Sequence, residues 1–310
     1  MAGGEIFTQY MSMSMLFVVP SLSIAIGQGL VANATMEAMQ TQPQAAAAMR
    51  RTFVLGIAYN ETAAILTGIM VIMLILQASS FAPAASYGLL GIVCALAIPS
   101  ACVGILSSLP QQAAVLATAR QPFFAREIMR LMLITISVMQ TSIILGFILS
   151  LLMKSQLASA ASNGPLLLAS GVAFGFGSIG PLIGLGLFSQ AACATIGTNR
   201  QIYPQVVSFT FICQGLIEAP ILFSLVVALL IISGVQHNLW ACFAAACTSA
   251  LSTLGPGIAS GRIAHAACMA MGKQPASAAV ISRMSLLAQT LIDTSPVYGL
   301  VVALALLLFA

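Results

Sequence analysis

The residues most able to do chemistry in this chain are its carboxylates, and there are only six: Glu5, Glu37, Glu61, Glu127, Glu218 and Asp293. Three of them sit inside apolar runs, Glu61 in IAYNETAAIL, Glu218 in GLIEAPILF and Asp293 in TLIDTSPVY. A carboxylate at bilayer depth costs ~2.5–3.5 kcal/mol on insertion scales. Such a group is normally held neutral by a proton or paired with a cation. The chemistry open to it is reversible ion binding, because a loaded, neutral carboxyl can face lipid and an empty, charged one cannot. Protonated acids that merely hydrogen-bond between helices are the bland alternative. That alternative gives no reason for three acids to recur at one register.

The elements that position these groups must be membrane helices. Of the 310 residues, 60% are hydrophobic and 5% are charged, whereas a soluble domain carries about 25% charged residues. That composition excludes a soluble enzyme, a disordered tail and a nucleic-acid binder, despite a formal net charge of +4. About 20 helical residues cross a bilayer, so the chain has room for roughly eight spans. The fold class expected is all-α and polytopic. The N-terminus lacks the basic region of a signal peptide, and direct insertion into a bacterial-type inner membrane is the simplest expectation. The seven cysteines are odd in number, include no CxxC and lie in apolar runs, which makes them packing residues rather than ligands or disulfides. His237 and His265 have no partner at ligand spacing and read as structural or interfacial.

The midspan polar residues define a repeat. Glu61, Gln140, Glu218 and Asp293 follow one another at nearly equal intervals, each close to a quarter of the chain. Four tandem hairpins follow, with expected bounds 1–80, 81–160, 161–235 and 236–310. Each has a small-residue span, a polar turn and a second span carrying the midspan polar group. In three turns a proline stands at one fixed offset ahead of that group: Pro43 before Glu61, Pro122 before Gln140 and Pro275 before Asp293. Proline beside polar residues ends one helix and starts the next. The third turn, Gly197-Thr198-Asn199-Arg200-Gln201, lacks the proline. Nine of the ten cations lie in or near the four turns, with Lys154 alone elsewhere. By the positive-inside rule the turns face the cytoplasm and both termini face out.

Glycine is dense on the first span of the last two hairpins, with Gly171, Gly175, Gly177, Gly180, Gly184 and Gly186 in the third and Gly255, Gly257 and Gly261 in the fourth. Over the matching stretch the first keeps Gly27 and Gly29, and the second a lone Gly104 among Ala, Ser and Cys. Small residues let helix backbones approach closely where lipid offers no hydrophobic drive. A crowded inner layer is therefore expected. Gly175, Gly177 and Gly180 formally match a dinucleotide-binding GxGxxG, but no strand precedes them and they lie within a span.

A glycine-rich helix, an Arg120-Gln121-Pro122 type of turn and a midspan acid before an apolar helix together resemble the rotor-ring c subunit, or proteolipid, of F-type ATP synthases. Glu218-Ala-Pro-Ile-Leu-Phe and Asp293-Thr-Ser-Pro-Val-Tyr-Gly look like its outer-helix signature, and Gly180-Pro181 and Gly255-Pro256-Gly257 like its glycine motif. The likeness covers the chain four times over, where family members usually have one hairpin. It implies a membrane-sector protein with no catalytic chemistry of its own and no cofactor. Such a protein forms a ring with copies of itself, or with single-hairpin homologues among them. The ring turns in the lipid against a stator a subunit whose arginine displaces the ion from each carboxylate. The turns, through Gln42, Pro43, Arg120, Gln121, Pro122, Arg200, Gln201, Lys273, Gln274 and Pro275, would contact the central stalk.

The resemblance makes Glu61, Glu218 and Asp293 the ion carriers. Hairpin two departs from it, because Gln140 cannot exchange a proton and Cys102 to Ser108 replace the glycine motif. Glu127 is too near the turn to substitute. Sodium-type members carry a glutamine on the inner helix, at the place Gln28 holds relative to Glu61, and Ser or Thr just after the acid. Hairpin one has both, Gln28 and Thr62, so a sodium site, if any, is expected at Gln28, Glu61 and Thr62. Hairpin three has Leu185 and Ala219 there, with no ligand oxygen. Hairpin four has Ser260 and Thr294, with Tyr298 nearby. The proton is the ion all three acids could share. Glu37 reads as interfacial, Glu5 as terminal and Trp240 as an interfacial anchor. Other classes weighed are a secondary transporter, a V-type-like pump rotor and a structural assembly protein. Parallel repeats argue against the transporter, whose repeats are usually inverted.

Overall fold

With no water available in hydrocarbon, backbone N–H and C=O groups must be satisfied within their own segment, and the helix is the solution open to an apolar chain of this length. The computed structural model describes residues 2–77, 85–159, 164–234 and 238–309, the side chains of 2–5 and 158–159 excepted. Its helices are α1 (Ala2–Thr41), α2 (Ala46–Ile75), α3 (Ser86–Leu106), α4 (Ser108–Arg120), α5 (Ala125–Ser159), α6 (Gly164–Thr198), α7 (Tyr203–Ile232), α8 (Leu239–Lys273), α9 (Ala278–Ile292) and α10 (Thr294–Phe309). Among the described residues there is no strand. Eight stretches of 33–36 residues are long and apolar enough to cross a membrane. At ~1.5 Å per residue each is about 50 Å long, well over the ~30 Å of hydrocarbon, so the turns stand clear of the apolar layer. The expected boundaries between hairpins, and His237, fall outside the described residues.

Two spans expected to be continuous are broken. The second inner span divides at Ser107 into α3 and α4, and the fourth outer span divides at Asp293 into α9 and α10. Each break lies just ahead of a proline, Pro110 or Pro296. The missing proline N–H leaves the carbonyl one turn back without its helical donor. Pro20, Pro99, Pro181 and Pro256 are carried inside unbroken helices. Every hairpin reverses through a single 3-10 turn, at Pro43–Ala45, Pro122–Phe124, Arg200–Ile202 and Pro275–Ser277. Where the third lacks proline, Asn199 Oδ1 accepts the backbone N–H of Gln201 at 3.0 Å. This is an Asx turn that supplies the same reversal by a side chain.

The helices form two layers. Helices α1, α3 with α4, α6 and α8 pack side by side in that order as the inner layer. Helices α2, α5, α7 and the α9–α10 pair cover it, each against its own inner helix and more loosely against its outer neighbour. Apolar side chains such as Leu96, Phe174, Leu182, Ile217 and Ile221 fill the space between the layers.

Each inner joint is made by glycine. A Cβ on Gly27 would strike the carbonyl of Gly104, one on Gly171 the carbonyl of Gly91, and one on Gly175 that of Cys94. Between α6 and α8, Gly184 and Gly261 abut one another and Gly257 lies against Gly180 and Pro181. The expected crowded inner layer is what these contacts describe. A hydroxyl-to-carbonyl bond adds to them, with Thr253 Oγ1 donating to Gly177 O at 2.9 Å, and Ser170 Oγ donates to Ala228 O of the outer helix α7 at 2.9 Å. The turns are tied in sequence too: Gln121 Nε2 donates to Gly197 O at 3.1 Å and Asn199 Nδ2 to Gly272 O at 3.5 Å.

Replacing Gly184 by leucine is expected to destabilise the fold by about 1–3 kcal/mol or more through overpacking. Gly215 meets nothing within 4 Å of an added Cβ, and Gly215→Ala should stay within about 1 kcal/mol of the parent. Thermal unfolding in detergent, followed by circular dichroism, compares the two.

Candidate ion-binding sites

The four register positions fall at one depth of the outer helices, and their surroundings differ. Glu61 on α2 is exposed, Glu218 on α7 and Asp293 at the α9–α10 break are half-buried, and Gln140 on α5 is 5% exposed. Hairpin one has no hairpin before it within the chain, so the flank of Glu61 that would meet such a neighbour is open.

Each acid has one side-chain hydrogen-bond donor, and the donor differs each time. In hairpin one, Gln28 Nε2 donates to Glu61 Oε1 at 2.6 Å. In hairpin four, Ser260 Oγ donates to Asp293 Oδ1 at 3.5 Å. Both donors come from the inner helix of the same hairpin, at the one offset where the sequence offered candidate ligands. In hairpin three that inner position is Leu185, and the partner arrives from elsewhere. Thr141 Oγ1, on the outer helix of hairpin two, donates to Glu218 Oε1. Hairpin three's own positions, Leu185 and Ala219, carry no side-chain oxygen, and the donor is borrowed from the neighbouring hairpin. Thr141, which follows Gln140, serves the acid of the next hairpin.

The other expected supporting groups do not converge on their acids. Thr294 Oγ1 donates to the carbonyl of Leu291 at 2.8 Å. Tyr298 is 69% exposed. The donor to Glu61 is Gln28, not Thr62.

Hairpin two is a neutral, closed version of the same position. Ser107 stands where Gln28 and Ser260 stand in their hairpins. It donates to Asn60 Oδ1 at 2.6 Å, and Gln111 Nε2 donates to the same oxygen at 3.1 Å. Gln140 Nε2 donates to the carbonyl of Tyr59 at 3.0 Å. These side chains are at most 5% exposed. The amide is a joint between hairpins one and two. The break at Ser107 is part of it, since Ser107 and Gln111 flank the proline that opens the helix.

Sequence reading missed the cross-hairpin glutamines. One turn before the acids, Gln214 Nε2 donates to Thr135 O at 3.1 Å and Gln289 Nε2 to Cys213 Sγ at 3.3 Å. Their i, i+4 spacing to Glu218 and Asp293 was a visible signal, because it puts both side chains on one helix face. Asn60 and Gln111 had no such signal, since their partners are distant in sequence.

The remaining polar residues are placed largely as expected. Glu127 pairs with Arg130 at 3.2 Å near the start of α5. His265 Nδ1 bonds the carbonyl of Leu187 at 2.9 Å, which is a structural role. The seven cysteines are free thiols, and Trp240 is 81% exposed at the start of α8. The turn residues Arg120, Gln121, Phe123, Asn199 and Arg200 line a shallow depression of about 570 Å³. Phe123 is fully exposed there.

A two-layer row of glycine-packed hairpins, with an acid midway along the outer helix in three of the four, defines a membrane proteolipid built of helical hairpins. The family model for the ATP synthase C subunit matches residues 168–231 and 243–306, which are hairpins three and four. The ATP synthase c subunits of Chloroflexus aurantiacus and Chloroflexus aggregans are each 42% identical to this chain over 69 residues, covering 22% of the chain and 91% of the relative. The chain belongs to the ATP synthase c subunit family and is a multi-pass membrane protein. The matched segments contain Glu218 and Asp293, while Glu61 and Gln140 are tied to them by register and fold.

Thr141→Val removes the donor to Glu218 and leaves the other two acids untouched. Carbodiimide labelling, which requires the protonated acid, should rise at Glu218 and stay unchanged at Glu61 and Asp293, as read by mass spectrometry of the labelled peptides. Equal changes at all three would mean the bond does not act locally.

Proposed function

We propose that this protein is the ion-carrying part of an ATP synthase rotor ring and that each copy carries three ions, on Glu61, Glu218 and Asp293. The observation that carries the reading is the contrast at one register. Three positions hold an acid with a single hydrogen-bond donor, and the fourth holds a buried amide locked to a backbone carbonyl. Loading neutralises each carboxyl before it faces lipid, and an opposing stator arginine would unload it. Ion passage thereby drives rotation, and rotation drives ATP synthesis, or the reverse under hydrolysis.

The ion proposed is the proton. A sodium ion needs several oxygen ligands, whereas a proton needs only the carboxyl. Gln28, Thr141 and Ser260 give each acid one neighbour of a different kind, with no shared multidentate set. Sodium remains the second reading for the Glu61 site alone, because Gln28 lies 2.6 Å from that carboxylate.

The clustering of cations at the turns supports turns on the cytoplasmic side of an inner membrane and both termini outside. The depression around Arg120, Phe123 and Arg200 would then meet the central stalk, together with Gln42, Pro43, Lys273, Gln274 and Pro275. Since one charge gains about 2.3 kcal/mol per 100 mV, three ions per four hairpins lower the energy delivered per turn. That favours ATP-driven pumping or a high membrane potential.

Carbodiimide should label Glu61, Glu218 and Asp293 in a manner that depends on pH and is indifferent to sodium. Protection by sodium would replace the proton reading, and failure to label any of the three would remove the ion-carrier role. Gln140→Glu should add a fourth labelled site and raise the ion-to-ATP ratio of the complex in reconstituted vesicles. An unchanged ratio with a labelled Glu at 140 would show that hairpin two is closed to the stator for another reason.

A further inference from the structure

The inner layer carries a groove of about 280 Å³ lined only by α4, α6 and α8, with Gln112, Leu116 and Arg120 on the first helix, Gln190 and Ala194 on the second, and His265 and Met269 on the third. Its lining repeats at the spacing of the hairpins. Gln112, Gln190 and His265 are equivalent positions, and the equivalent on α1 is Asn33. Leu116, Ala194 and Met269 are likewise equivalent, and their counterpart on α1 is Glu37. Arg120 corresponds to Lys273 at the end of α8.

Moving the groove along the row by two hairpins therefore carries it across the end of the chain. Its first helix becomes α8, lined by His265, Met269 and Lys273. Its second becomes α1 of whatever hairpin follows. On a second copy of this chain that helix brings Asn33 and Glu37 to the groove, in the places that Gln190 and Ala194 hold inside the chain. Arg120 and Ala194 share one cavity, so Lys273 and Glu37 would share its counterpart. Glu37 and Lys273 are both exposed and have no hydrogen-bond or ion-pair partner among the described residues.

The free faces fit in shape as well. Gly29 on α1 and Gly255 on α8 are exposed, and an added Cβ on either meets nothing within 4 Å. Their internal equivalents are Gly261 and Gly180, which make the α6–α8 joint. The two ends of the row thus carry the glycines of an inner joint with no backbone against them.

We infer that the free face of α8 docks on α1 of a second copy of this chain, with Glu37 of that copy paired to Lys273 and flanked by His265. The pairing makes the junction between copies different in kind from the three joints inside a copy. None of those has an acid at the Glu37 position. It also selects this chain over a single-hairpin homologue lacking an acid there. This inference rests on the ring reading above and adds who sits beside whom.

The test is native mass spectrometry of the assembly extracted in mild detergent. The parent should give masses that are whole multiples of 32.0 kDa. Glu37→Lys should lower the intact fraction about fivefold, the size expected of one partly exposed charge pair turned repulsive. The double variant Glu37→Lys with Lys273→Glu should restore it. Folding of each variant is checked independently by circular dichroism and thermal unfolding in detergent. Correctly folded Glu37→Lys protein that assembles like the parent overturns the inference, as does a double variant that fails to recover. A smaller proteolipid found in the parent assembly overturns the choice of partner. A parent that runs only as a single copy overturns the ring reading itself, a result distinct from a ring indifferent to Glu37.

Discussion

Hydrocarbon does not tolerate unpaired charge, and nearly every feature of this protein follows from that. Polar backbone groups are withdrawn into helices because lipid offers them no partner. Cations are confined largely to the turns, where helices of about 50 Å rise above the apolar layer. The few carboxylates kept at depth need a means of neutralisation. An amide that needs none can be buried outright, and Gln140 is the most enclosed of the four register positions for that reason.

Because no hydrophobic drive pulls helices together in lipid, the row is held by close backbone approach and by hydrogen bonds. The inner layer uses glycine against carbonyl, as at Gly171 with Gly91 and Gly184 with Gly257. The outer layer has looser packing and uses side-chain amides instead: Gln140, Gln214 and Gln289 each reach the preceding outer helix. Binding and assembly are therefore not separate in this fold. The donor to Glu218 belongs to hairpin two, so a hairpin without an acid still completes the site of one that has it.

Much of this was legible in the residues. The even spacing of Glu61, Gln140, Glu218 and Asp293 exposed the repeat. The resemblance to sodium-type c subunits pointed to the inner-helix positions Gln28 and Ser260, and both bond the acid of their own hairpin. Legibility ended where contacts crossed between hairpins. Nothing in the sequence pointed to Thr141 as the donor to Glu218 or to Asn60 as a buried acceptor. Asn60 in fact binds Ser107 and Gln111, 47 and 51 residues away. The helix breaks at Ser107 and Asp293 were also missed, since prolines elsewhere leave their helices whole.

The sequence by itself determined the class, the number of hairpins and the equivalent place of each midspan residue along its hairpin, because a repeated apolar chain has one periodicity and a narrow choice of backbone. Only the tertiary structure decided which way each midspan side chain turns. Facing the next hairpin or its own inner helix is a question of rotation about the helix axis, and lateral packing sets that rotation. Lateral packing also leaves Glu61 open at one end of the row, where no hairpin precedes it within the chain, while Gln140 is sealed between neighbours. Composition counts the polar groups alike, and packing assigns them opposite tasks.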